Sequence, residues 1–208
     1  IANDEQYEST KKYLKLCLLN ARSIKNKSAD FVCYGLSTGA DVFAITETWF
    51  ADKDMAHKAE ITLPGYKLLD HPRTERSGGG TALLFRDNIT VHKVDCGERR
   101  SFEFSEWILQ YRSCKLRTII VYRTPYSAAH PVVTSVFFDE FSTYLESVIM
   151  SSEPLLIVGD FNIHVDISRD PNAIRFLDLL SSMGLDQHVD KPTHTSGHIL
   201  DLIITPEF

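Results

Sequence analysis

Two packed, mixed β-sheets with helices on their outer faces make up the α/β fold that this sequence predicts. Three observations lead there. Nine strand-like runs outnumber three helical ones, several strands follow one another with no helix between them, and the helical segments carry their apolar residues in stripes. The 208 residues, 43% of them hydrophobic, suffice for one globular domain with a substantial core.

Residues 1–12 are polar and lack the apolar centre of a signal peptide; they read as a disordered lead to a domain at 13–208. A first residue that is Ile rather than Met suggests a piece of a longer protein. Strands are expected at Tyr13–Leu19, Val42–Thr46, Tyr66–Leu69, Thr81–Phe85, Ile89–Val94, Trp107–Tyr111, Leu116–Tyr122, Leu155–Val158 and Ile199–Thr205, each an apolar or β-branched run. Helices are expected at Ala29–Leu36, Thr134–Met150 and Asn172–Met183. In the second, Val136, Phe137, Phe141, Tyr144, Leu145 and Val148 recur at helical spacing. In the third, Ile174, Leu177 and Leu180 form the stripe, Asp170-Pro171 supplies a cap and a first-turn proline, and Gly184 is the stop. Ser77-Gly78-Gly79-Gly80 permits unusual backbone torsions at a strand entry. It opens no helix, which argues against a nucleotide phosphate loop.

Cys17, Cys33, Cys96 and Cys114 have no metal-binding spacing, so zinc is disfavoured, and Cys17 and Cys33 read as small core residues. Unpaired thiols fit a nuclear or other intracellular setting. No apolar run is long enough to span a membrane. The net charge of −6 runs against nucleic-acid binding. Basic residues are nevertheless grouped, as Arg73 with Arg76, Arg99 with Arg100, and Arg112 with Lys115 and Arg117.

The informative pattern is what the strands deliver at their ends. The first ends at Asn20, the second at Glu47-Thr48-Trp49, the seventh at Tyr122-Arg123 and the eighth at Gly159-Asp160-Phe161-Asn162; the ninth holds Asp201. Sheet enzymes collect ligands at strand ends. Asp160 and Asn162, two apart in extended chain, point to one side. Such a pair can hold and activate a water beside a phosphate, although the tetrapeptide alone reads equally well as an Asx turn. Glu47 is placed to bind a hard divalent ion. Asn20 is placed to orient that ion or a phosphate oxygen, and Tyr122 to donate to a non-bridging oxygen. Trp49 reads either as an exposed aromatic facing a ligand or as buried packing.

In this order, Asn20, Glu47-Thr48, Ser77-Gly78-Gly79-Gly80, Tyr122, Gly159-Asp160-Phe161-Asn162 and Asp201 resemble the exonuclease–endonuclease–phosphatase superfamily. Leu19-Asn20-Ala21-Arg22-Ser23, Ile45-Thr46-Glu47-Thr48-Trp49, and Lys191-Pro192-Thr193-His194 leading to Leu200-Asp201-Leu202-Ile203 are most similar to the endonuclease domain of non-LTR (LINE-type) retrotransposons. The resemblance covers about residues 13–205. It implies a deoxyribonuclease-like four-layer α/β/β/α sandwich with its active site at one rim. It further implies Mg²⁺ (or Mn²⁺) held by Glu47 and Asn20, Asp160 as general base, and DNA contacts from Arg22, Arg76, Arg123, Thr193 and His194. The family pattern ends in Ser-Asp-His, which occurs nowhere in these 208 residues. The chain therefore resembles a C-terminally truncated domain in which Asp201 lacks its His partner; His198 reads as a sheet-edge residue rather than a substitute.

The implied activity is nicking of target DNA, leaving a 3′-hydroxyl that primes a separate reverse-transcriptase domain of the same polyprotein. A monomer is expected. An abasic-site repair nuclease or phosphatase on the same scaffold, and an inactive fragment that at most binds DNA, are the alternatives.

Overall fold

The computed structural model describes residues 13–74 and 76–207. The expected lead at residues 1–12 lies outside them. Among the described residues, ten strands and four helices follow in the order β1 (Leu16–Asn20), α1 (Ser28–Thr38), β2 (Val42–Thr46), α2 (Met55–Ile61), β3 (Tyr66–His71), β4 (Thr81–Arg86), β5 (Thr90–Glu98), β6 (Phe102–Tyr111), β7 (Cys114–Arg123), α3 (Thr134–Val148), β8 (Leu155–Asp160), α4 (Pro171–Ser182), β9 (Leu185–Gln187) and β10 (Asp201–Pro206). One sheet has the order β1-β2-β4-β3, the other β5-β6-β7-β8-β10-β9. Each is mixed: β1 runs parallel to β2 and β7 parallel to β8, and the other pairs are antiparallel.

Strand alternation divides the core into three layers of contact. Phe43, Ile45, Ala82 and Leu84 face Phe31 of α1 and Ile61 of α2. Ile119, Val121 and Ile157 face Phe137 and Phe141 of α3 and Phe176 of α4. Between the sheets lie Val42, Ala44, Leu83, Trp107, Ile120 and Val158. This is the expected sandwich of two mixed sheets with flanking helices.

The expected α3 stripe is buried from Phe137 to Val148, with Val136 at its margin. Helix α4 has its expected cap, Asp170 accepting from Asn172 N at 2.8 Å, but presents a different face. Ala173, Phe176 and Leu180 are buried, while Ile174 and Leu177 are exposed. A three-residue repeat drifts round a 3.6-residue helix, and the larger Phe176 sets the buried side. Cys33 is exposed rather than core, and Cys17 is half-buried with Sγ 3.5 Å from the Tyr34 hydroxyl. Helix α2 and strand β9 were not expected. Strand β6 begins at Phe102, five residues earlier than expected, because Glu103 and Glu106 are buried in ion pairs with Arg73 and Arg117.

Candidate active site at the sheet rim

Register explains why the polar strand ends meet. In the six-stranded sheet Glu103 pairs with Tyr122, Tyr122 with Asp160, and Asp160 with Asp201, so four polar side chains share one rung. In the other sheet Asn20 pairs with Thr46, one residue before Glu47. By alternation, Tyr122 follows Ile120, Asp160 follows Val158, and Asn20 follows Leu18. All three therefore extend the face that lines the space between the sheets. The apolar interior ends at this rim in an acidic pocket of about 560 Å³, lined by Asn20, Glu47, Asp160, Asn162, His194 and Asp201 among others.

Gly159 sets the spacing. A Cβ there would lie 1.8 Å from Val121 O, so only glycine lets β7 and β8 carry Tyr122 and Asp160 side by side. The rim is also strained. Of six non-glycine residues with positive φ among the described residues, Arg22, Ser23, Glu47, Trp49 and Asn162 border this site. Such strain gathers where side chains must be aimed.

Asn20 joins the two sheets. Its Nδ2 donates to Glu47 Oε1 at 2.9 Å and to Asp160 Oδ2 at 2.5 Å, while its Oδ1 accepts from Arg22 N at 3.0 Å. Its amide nitrogen, rather than its oxygen, therefore faces the acidic centre. Asp160 Oδ1 accepts from Asn162 N at 3.0 Å, and the Asn162 side chain turns away to donate to Arg123 O at 2.8 Å. Burial, reinforced by Asp201, pushes the Asp160 carboxyl up to about 7. Burial also raises Asp201, whose Oδ1 is buried without a hydrogen-bond partner. Burial and the charges of Glu47 and Asp160 raise the Tyr122 phenol, which stays a donor at neutral pH.

The sequence matches the Endonuclease/Exonuclease/phosphatase family model over residues 18–207. The chain belongs to this family. No curated protein gives a significant match. Among solved structures, the AP endonuclease of Leishmania major superposes with a TM-score of 0.69 at 14% identity, covering 93% of this chain and 79% of that one. The endonuclease domain of TRAS1, a telomere-specific non-LTR retrotransposon, gives 0.68 at 13% identity over 93% and 85%. A 3′ phosphatase from Neisseria, NExo, bound to a product DNA hairpin, gives 0.62 at 16% identity over 93% and 87%. At these identities the likeness is one of fold.

Not every predicted contact lies at this family's rim. Arg22 is exposed at the pocket, and Thr193 and His194 border it. Thr193 Oγ1 also accepts from Leu200 N and Asp201 N, both at 3.1 Å, and so pins its loop to β10. Arg123 is buried, donating to Phe161 O, Asn162 O and Thr134 Oγ1, which makes it a scaffold residue rather than a DNA contact. Arg76 donates to Thr124 Oγ1 at 2.9 Å. His198 lies in the loop before β10, bonded to Asp166 at 2.9 Å and stacked on His164, outside the pocket lining.

Arg73 was expected only as part of a basic group. It is nearly buried, pairs with Glu103 at 2.6 Å, and lies 5.4 Å from the Tyr122 ring centroid. Glu103 also accepts from Gly80 N at 3.1 Å. Gly79 and Gly80 in turn accept from Trp49 N and Thr48 N at 2.9 and 3.3 Å. The glycine run thus braces the turn that carries Glu47. A buried Glu–Arg pair separated by 30 residues leaves no local sequence signal.

The donor set suits a hard divalent ion. Glu47, Asp160 and Asp201 supply only oxygens, and Asp201 Oδ1 is unmatched. Among the described residues no group of three or more His, Cys, Asp and Glu is arranged to hold a metal by itself. An ion here would keep most of its waters, as Mg²⁺ does.

Proposed function

We propose that this domain is the DNA-nicking endonuclease of a non-LTR retrotransposon, leaving a 3′-hydroxyl for a separate reverse-transcriptase domain. The single observation behind it is the rim at which Asn20, Glu47, Tyr122, Asp160 and Asp201 converge. The likeness to the TRAS1 domain and the element-like phrases around Asn20, Glu47 and His194 support the finer assignment.

In this reading Glu47 would hold Mg²⁺ or Mn²⁺, with Asn20 fixing the carboxylate through its amide. The ion, when bound, supplies charge neutralisation at the phosphate. Asp160 accepts the proton of the attacking water; a carboxyl near 7 is matched to that role at neutral pH. Asn162 N–H holds the Asp160 carboxylate in place. Tyr122 donates to a non-bridging oxygen as charge develops there. Arg22 and His194 contact the DNA backbone on either side of the pocket.

The test compares supercoiled plasmid, abasic-site duplex, 3′-phosphate DNA and a phosphorylated sugar, each with Mg²⁺. Nicking of intact plasmid with 3′-hydroxyl ends is expected. Cleavage confined to abasic DNA, or phosphate release alone, would replace this reading by the repair or phosphatase one. The AP endonuclease and 3′ phosphatase likenesses keep those two in view.

A further inference from the structure

Trp49 stands at the lip of the rim in an unfavourable conformation. Its φ is 58°, in the left-handed region that bulky side chains avoid, and the residue is 45% exposed. Burial of the indole therefore does not offset the strain. The fold still fixes it on two sides. Trp49 N donates to Gly79 O at 2.9 Å, and the indole edge rests on Gly78, where a Cβ would come within 3.4 Å of Nε1. Nε1–H points at Glu47 Oε2, 3.4 Å away. A rigid aromatic plate is thus held open to solvent beside the carboxylate assigned to the metal.

The charge balance says what such a plate is for. The chain carries −6, and two arginines near the rim, Arg73 and Arg123, are taken up by Glu103 and by backbone carbonyls. Phosphate attraction at this edge therefore falls to a few groups such as the exposed Arg22. Stacking on a base displaced from the duplex stack needs no positive surface at the ring itself and tolerates any sequence.

We propose that Trp49 is the stacking platform for a substrate nucleobase next to the scissile phosphate. This rests on the DNA-cleaving reading above. The rival role, holding Glu47 through the indole N–H, predicts different variants. Trp49→Phe keeps a ring and loses the N–H; Trp49→Leu loses both.

The experiment uses the Asp160→Asn background, so that DNA stays intact, and a labelled 20-base-pair duplex read by anisotropy. Intrinsic fluorescence is followed in parallel, since the only other tryptophan, Trp107, is fully buried. We expect DNA to quench Trp49, Trp49→Phe to bind within about twofold of its parent, and Trp49→Leu to bind about tenfold more weakly. Circular dichroism checks that the variants fold. Equal weakening by Phe and Leu, or DNA binding without quenching, overturns the platform and leaves the nuclease reading standing. No anisotropy change with any DNA overturns both.

Discussion

Asp160 is a residue the fold keeps at a cost. Its carboxyl rises from 3.8 to about 7, chiefly through burial, which corresponds to about 4 kcal/mol at about 1.36 kcal/mol per pH unit. An acid raised in the folded state is least costly when protonated. Its stability contribution is full below about pH 4 and is lost as pH rises towards 7. Asp160→Asn removes that titration and keeps an oxygen for Asn162 N, but sets an NH2 against Asn20 Nδ2, a cost that does not vary with pH. In metal-free buffer the melting temperature of Asp160→Asn, measured relative to wild type, should rise between pH 4.5 and 7.5 as the wild-type carboxyl ionises. A margin independent of pH would show that the carboxyl is not perturbed. The same variant should bind DNA normally yet nick at less than a tenth of the wild-type rate. Under the proposed function Glu47 has the complementary role. Glu47→Gln should keep the fold and weaken Mg²⁺ binding about tenfold or more by calorimetry; unchanged affinity would move the ion elsewhere. Both residues were legible in sequence because each stands at the end of an apolar run. Arg73, Glu103 and the bridging amide of Asn20 were not, since their partners are remote in the chain.

At the level of strands and helices, long apolar runs were readable and short or charged ones were not. Strands β2, β4 and β8 lie within a residue or two of expectation, because each is buried along its length. Helix α2, Met-Ala-His-Lys-Ala-Glu-Ile, buries only Ile61, so its sequence carries no stripe. Strand β9 is three residues long and is defined by pairing with β10, a tertiary fact. The β7–β8 pair yields the sharpest structural prediction. Gly159→Ala places a methyl against Val121 O and should cost roughly 3 kcal/mol or more. For a chain this size that lowers the melting temperature by roughly 6–12 °C. Gly197→Ala, with φ 87° but nothing within 4 Å of its new Cβ, should cost about 1 kcal/mol. Comparable losses in the two melts would mean that β7 and β8 can move apart freely.

For the molecule as a whole, the charge argued against nucleic acid while the ordered motifs argued for it, and the family match settles the scaffold. Among the described residues, Asp201 Oδ1 and Thr46 Oγ1 are buried near the rim without hydrogen-bond partners. His194 lines the pocket beside Asp201, and His198 does not. The rim also has a consequence for how the chain folds. Asn20 must meet Asp160, 140 positions away, and Asp160 must meet Asp201 across a strand pair that closes a long loop. Contacts so distant form late. The β5–β6 and β6–β7 hairpins need only local contacts, so in refolding we expect sheet signal to be regained before the rim that joins Asn20 to Asp160 is rebuilt.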